Sequence, residues 1–339
     1  MAAEKQRKMK GKRREIAYLA PERIFVKDFG PVGEADIELG KITILMGPNN
    51  TGKTYTSVLT LVIDNLLDAI SVIGAIMDLD YAKYSQSILS DVLTSLYTVN
   101  EPRELVRHNS DKAVLRFILR KEEALLKDTY EIEVIIDKSG DISVKLPRMG
   151  DLFKERKIYR LSRLIYIPAE RAGIMRTYKQ LLRLYLQTRW AFVPQKHRER
   201  IAKMLGAEIR LPGVVEVLLD HILGIEKFTQ DERAKSTVSQ ALEILEEEVL
   251  RGRLEMSEDL SVTYYDRSER PIDLINASSM VSEISAIYLL SKRLRSGGWL
   301  VIEEPESHVH PRGQMGLARF MAMLARNGVN VVALSLIHI

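Results

Sequence analysis

The stretch Ile42-Thr-Ile-Leu-Met46, followed by Gly47-Pro-Asn-Asn-Thr-Gly-Lys-Thr54, decides the fold. The short apolar run predicts a strand. The eight residues after it fit G-x-x-x-x-G-K-[ST]. Glycines at those places let the backbone wrap an anion with successive N–H groups turned inward. Beyond the loop, apolar residues recur at Val58, Leu61, Val62, Leu66, Ile70 and Ile73, which predicts a helix from Lys53 to about Met77. Its positive end faces the same anion. The pattern predicts a phosphate cradle formed by Gly47, Asn49, Asn50, Thr51, Gly52, Lys53, Thr54 and Tyr55. In it Lys53 reaches the β- and γ-phosphates and Thr54 offers its hydroxyl to Mg²⁺. A chance glycine turn would lack the strand before it and the helix after it. No Asn-Lys-x-Asp guanine-reading motif is present, so ATP is the favoured nucleotide.

Working outward, Ile24–Val26 and Ala35–Leu39 predict two strands ahead of the loop, and residues 1–19 read as a basic disordered tail. Residues 80–160 mix helical patterns with one hairpin near 130–146, turning at Asp137-Lys-Ser-Gly140. Leu164–Ile167 reads as a strand running into Pro168, and residues 175–250 read as mostly helical. Further strands are expected at Ser261–Tyr265, Pro271–Leu274, Trp299–Ile302 and Val329–Ala333, with helices at Ile284–Leu294 and Arg312–Arg326 and Gly328 as a helix terminator. The order is that of an α/β core interrupted by an inserted, mainly helical arm. It places the two halves of the core at 20–80 and 260–333 and the arm at 81–259.

The second half supplies acids. Trp299-Leu-Val-Ile-Glu-Glu-Pro-Glu306 is a buried-type strand ending in carboxylates. Beside a phosphate loop, such a strand places one carboxylate at Mg²⁺ and a neighbour as general base toward water. Glu303 is expected at the metal, directly or through water, and Glu304 and Lys53 are the expected catalytic groups. Without the loop, the same acids would read as the solvated end of a strand. Asn276-Ala-Ser-Ser-Met-Val-Ser-Glu283 reads as a polar turn opening a helix, which alone is only a cap.

Together the three segments resemble the ABC-type ATPase heads of the SMC, RecF and OLD group. "GPNNTGKT" is similar to their Walker A loop, "IEEPESHVHP" to the Walker B and D-loop stretch of OLD-type ATPases, and "ASSMVSE" to a divergent signature motif. The resemblance covers about 20–75 and 260–333. It implies a P-loop NTPase fold with a central mixed sheet. It implies ATP hydrolysis with Mg²⁺ by a homodimer closing around nucleotide, with Ser279 acting in trans. Where the family has glycines after that serine, Met280 and Val281 stand here. "LIYIPAERAG" takes the place of the Q-loop, with Glu170 or Arg171 as a sensor of phosphate or metal, and His308 and His310 fall in the D-loop. The family's switch histidine is replaced by Leu334-Ser-Leu-Ile-His-Ile339, which resembles adapter read-through. On that reading residues 334–339 are non-native and His338 is not a switch; the alternatives are a nucleotide-gated binding module with little turnover, or the ATPase half of a nuclease system whose Toprim domain is missing or whose active site lies in a nuclease partner.

Composition narrows the remainder. Of 339 residues, 46% are hydrophobic and 28% charged, enough apolar content for a sizeable core. With no cysteine, thiolate metal sites, disulfides and cysteine nucleophiles are excluded. The basic N-terminus is followed by no apolar segment of a secretory signal, and the longest apolar run, Leu66–Met77, is broken by Asp68. A cytoplasmic protein is expected. The net charge of +4 sums two poles: Arg148–Arg210 holds 16 basic against 5 acidic residues, and Leu211–Leu260 holds 5 against 12. The basic pole is either a DNA-binding face or the partner of the acidic one.

Overall fold

The computed structural model describes residues 16–73, 81–121, 129–146, 158–161, 164–188, 211–224, 232–257 and 259–335. Most of the expected basic tail, part of the basic pole and the terminal residues with His338 lie outside them. The chain divides into two compact units. One comprises Met1–Glu38, Leu59–Leu93 and Asn100–Ser162; the other comprises Leu39–Val58, Thr94–Val99 and Arg163–Ile339.

Three strands open the described chain: β1 (Ile16–Phe29), β2 (Val32–Glu38) and β3 (Ile42–Met46). Helices α1 (Lys53–Ile73) and α2 (Tyr81–Tyr97) follow. Next come β4 (Lys112–Lys121), β5 (Thr129–Asp137), β6 (Ile142–Lys145) and β7 (Ile158–Leu161). In the first unit β2-β1-β4-β5-β6 form an antiparallel ladder, and β7 joins β1 in parallel. The expected strands at 24–26 and 35–39 therefore pair with each other, and the first of them also with β4, not with β3. β4 itself falls where a helical pattern was expected. Val114, Leu115, Phe117 and Ile118 satisfy helical spacing, but Ala113, Leu115, Phe117 and Leu119 are the residues buried, with Ile132, Val134 and Ile136 of β5. That period of two is the strand's. The β1–β4 register shifts between Pro21 and Arg23, where the proline has no N–H to give the ladder. The expected hairpin is β5–β6; the Asp137 carboxylate accepts from the N–H of Ser139 at 2.9 Å and of Asp141 at 3.0 Å.

The second unit continues with β8 (Leu164–Ile167), α3 (Arg171–Thr188), α4 (Gly213–Leu223) and α5 (Glu232–Ile244). A π-helical turn extends α5 over Leu245–Leu250. Strands β9 (Gly252–Met256), β10 (Val262–Asp266) and β11 (Pro271–Asp273) make a small antiparallel sheet. Then come α6 (Ser279–Ser291), β12 (Trp299–Glu303), α7 (Pro311–Arg326) and β13 (Asn330–Ser335). The principal sheet runs β3-β13-β12-β8, and every pair in it is parallel. The expected mixture of strand directions is thus spread over separate sheets. Every residue of β8 and β12 is buried, as parallel strands covered on both faces require. β3, the edge strand, leaves Ile42, Ile44 and Met46 exposed. α6 packs on α3 and is buried along nearly all its length. α7 begins at the cap His310 with Pro311 in its first turn and stops before Gly328 at φ +88°, as expected. Among the described residues no helix is long and apolar enough to cross a membrane.

Candidate active site

Parallel pairing fixes where the motif residues meet. Met46 lies opposite Ser335, Leu334 opposite Glu303, and Ile302 opposite Ile167. The phosphate loop, the acids and the turn into α3 therefore emerge at one end of the sheet. That is the end at which open parallel sheets bind ligands.

The loop turns at Gly47 and reaches left-handed backbone at Asn50, φ +62°, and Gly52, φ +91°. Pro48, Asn49, Asn50 and Thr51 are exposed. Thr51 Oγ1 donates to the Pro48 carbonyl at 2.9 Å. Lys53 Nζ folds across the loop and donates to the carbonyls of Gly47 and Pro48, both at 2.6 Å. Thr54, in the first turn of α1, is exposed, and it helps hold the Glu303 pKa down. The Tyr55 carbonyl accepts from Tyr97 at 2.7 Å, and the two rings stack obliquely at 5.0 Å.

Glu303 ends β12 and is only 6% exposed. Tyr166 of β8 donates to its Oε1 at 2.7 Å, Ser57 of α1 reaches the same oxygen at 3.4 Å, and the N–H of Ala169 donates to Oε2 at 3.2 Å. Burial pushes the Glu303 carboxyl above the usual range, against the opposing hydrogen bonds of Tyr166, Ala169 and Thr54. Burial and the adjacent Glu303 charge push the Tyr166 phenol well above its ordinary value, so it stays a donor.

Glu304 differs at once. Its backbone sits at φ +42°, a left-handed conformation that costs a non-glycine residue on the order of 1–3 kcal/mol. Its N–H donates to the Leu334 carbonyl at 2.7 Å, and Ser307 donates to its Oε2 at 3.0 Å. The half-buried carboxylate lies outside the Tyr166 network.

The donor set fits Mg²⁺. This ion keeps several waters and takes one or two protein groups plus substrate phosphates. An exposed threonine in the first turn after a phosphate loop, with a buried carboxylate that Ser57 of the same helix reaches, is such a set. Among the described residues no cluster of three or more His, Asp or Glu offers an all-protein alternative.

The serine turn is placed at the start of α6. Ser278, not Ser279, is the cap; it accepts from the N–H of Val281 at 3.3 Å. Ser279 is the first helical residue and is exposed. Arg171 does not face the phosphate site as a sensor would. It is fully buried and paired with Glu283 at 2.9 Å, while Glu170 is exposed. His308 Nδ1 lies 3.0 Å from the other oxygen of Glu283, and His310 caps α7. Three cations of the basic pole are engaged internally. Arg171 holds Glu283, Arg176 donates to Ser282 and to the Ala277 carbonyl, and Lys179 pairs with Asp259 of the acidic pole. Sequence reasoning missed Tyr166, Ser57 and the Arg171–Glu283 pair. The one available hint was a tyrosine inside the aliphatic run Leu164–Ile167, whose hydroxyl must find a partner when buried.

A family model described as "AAA domain, putative AbiEii toxin, Type IV TA system" matches residues 42–335. The DNA replication and repair protein RecF of Halothermothrix orenii is 28% identical over 132 residues, which is 39% of this chain and 28% of that protein. The match thus spans little more than a quarter of that relative's length. Among solved structures, the SMC head bound to the C-winged helix domain of ScpA matches with a TM-score of 0.51 at 13% identity, over 94% of this chain and 89% of that one. This likeness is one of fold. A RecF-ATPrS structure matches with a TM-score of 0.45 at 13% identity, over 96% and 95%.

Proposed function

Because the chain belongs to the AAA-domain family whose model spans residues 42–335, we propose that it is a Mg²⁺-dependent ATP hydrolase of the SMC/RecF type working on DNA. One observation carries the reading. Ser57 of α1, the helix that the phosphate loop opens, reaches the buried carboxylate of Glu303 on β12 at 3.4 Å. This joins the two halves of a nucleotide site across the sheet.

The roles follow from the side chains. Lys53 exchanges its two carbonyl partners for the β- and γ-phosphates of the substrate, which the loop amides of residues 47–55 cradle. Thr54 and Glu303 hold Mg²⁺, which neutralises phosphate charge when bound. Tyr166 and the Ala169 amide fix Glu303, so it does not compete as a base. Glu304, free of that network, takes the proton of the attacking water.

The finer assembly is part of the proposal. The exposed start of α6 at Ser279 is available to a second copy across a shared ATP. The similarity to RecF supports work on DNA, for which the basic stretch Arg148–Arg210 is the candidate face. Its engaged members Arg171, Arg176 and Lys179 leave residues 189–210 as the part to test. A nuclease partner belongs to the same reading.

The test is phosphate release from ATP with Mg²⁺ and with chelator, for wild type and Lys53→Ala. Mg²⁺-dependent release is expected. In the variant, ATP affinity should fall about 100-fold for want of the phosphate-facing cation. Wild-type protein that binds ATP but releases no phosphate would reduce the reading to a nucleotide-gated binding module.

A further inference from the structure

Arg171 is the first residue of α3 and is buried in full, yet it lies outside the phosphate cradle. Its Nη1 donates to the carbonyl of Pro168 at 3.2 Å and to that of Glu303 at 2.6 Å, and its Nη2 to that of Glu304 at 2.8 Å. Nε is 2.9 Å from the Glu283 carboxylate of α6. A buried guanidinium is costly unless it is paired and its donors are used; here Glu283 is the counterion and both Nη atoms donate, while Nε sits at ion-pair distance without a hydrogen bond. Burial lowers the Arg171 pKa, while Glu283, Glu304, Glu306 and Glu303 oppose that shift, so the cation is retained.

The two shortest of these contacts end on the carbonyls of the two acids assigned to the metal and to the water. Between those carbonyls the chain leaves β12 and enters the left-handed turn at Glu304. A turn that a non-glycine residue avoids persists only where its surroundings hold it. On one side the Leu334 carbonyl holds the Glu304 N–H; on the other, the Arg171 fork holds the Glu304 carbonyl.

We infer that Arg171 is a positioning residue for hydrolysis. Its planar fork fixes the turn between Glu303 and Glu304, so that adjacent carboxylates point to different tasks, and Glu283 is its counterion. A lysine is a point donor and serves one of these carbonyls at a time. The inference rests on the ATPase reading above and deepens it.

The experiment compares wild type, Arg171→Lys and the double variant Arg171→Met/Glu283→Gln. The double variant avoids leaving Glu283 buried alone, which could unfold the protein. Folding is checked by thermal melting. In the folded double variant kcat should fall about 100-fold, as a misplacement of about 1 Å can cause. KM and the affinity for a fluorescent ATP analogue should stay within about threefold. Arg171→Lys should recover part of kcat. In nucleotide-free protein, amide exchange at Glu304–Ser307 should accelerate about tenfold while β8 and β13 are unchanged. A folded double variant with wild-type kcat would overturn the inference. So would a loss of ATP affinity matching the loss of kcat, or exchange that rises evenly over the unit. Wild-type protein without turnover would sink the ATPase reading alone, and the exchange measurement would still decide whether Arg171 holds the turn.

Discussion

The two halves of the nucleotide site are built in opposite ways. The phosphate loop leaves the exposed edge strand β3, and the side-chain bonds that brace it come from residues 51–56 of the same loop and helix start, chiefly Lys53 on the loop carbonyls. The acidic half leaves the buried strand β12 and is braced by four other elements: Tyr166 of β8, Ser57 of α1, Arg171 of α3 and Leu334 of β13. The loop lends itself to being ordered by the ligand it wraps. The carboxylates are set before any ligand arrives. Preorganisation is thus concentrated where charge must be aimed, which is where it contributes most to a reaction.

The largest test of that contrast is in the strands. Ile302→Ala in β12 removes a side chain that is 1% exposed and should destabilise the protein by about 3 kcal/mol. Ile44→Ala in β3, at 51% exposed, should cost less than about 1 kcal/mol. Equal losses in denaturant titrations would break the comparison.

These two strands also show what was legible in the sequence. Local patterns sufficed for β3 with its loop, for α1, and for an apolar strand ending in acids, because each is a contiguous segment with its own chemistry. The brace was not legible. Tyr166 is 137 residues from Glu303, and Arg171 is 132 residues from its bond to the Glu303 carbonyl, and no local period encodes such meetings. Strand partnership was hidden for the same reason. β1 and β2 precede the loop in sequence, yet β1 joins them to a sheet with β4, whose charged flanks and doubled apolar residues also suit a helix. The serine turn was found by its residues, but the cap fell on Ser278, one position before Ser279.

A smaller effect sharpens the acidic half. Tyr166→Phe removes the phenol from Glu303 and should cost about 1 kcal/mol of stability. Its turnover should fall severalfold while ATP affinity stays near wild type. Unchanged turnover would make the tyrosine a packing residue only.

The smallest effect is a slope. Burial raises the Glu303 carboxyl above its ordinary value of 4.5, so just above that pH the folded protein keeps a proton that the unfolded chain has released. Stability conferred at lower pH is therefore lost as pH rises through the folded-state value. Glu303→Gln removes this term, so its stability relative to wild type should grow as pH rises from 4.5, measured without metal. A constant difference across that range would show that burial does not shift the carboxyl.

In the proposed mechanism Glu304 is aimed for chemistry while the loop does the binding. Glu304→Gln tests it most directly, with ATP affinity and single-turnover phosphate release measured on the same protein. ATP affinity should stay within about threefold of wild type, and the rate should fall by about 100-fold or more. A variant that releases phosphate at the wild-type rate, or that loses ATP binding and rate together, would contradict it.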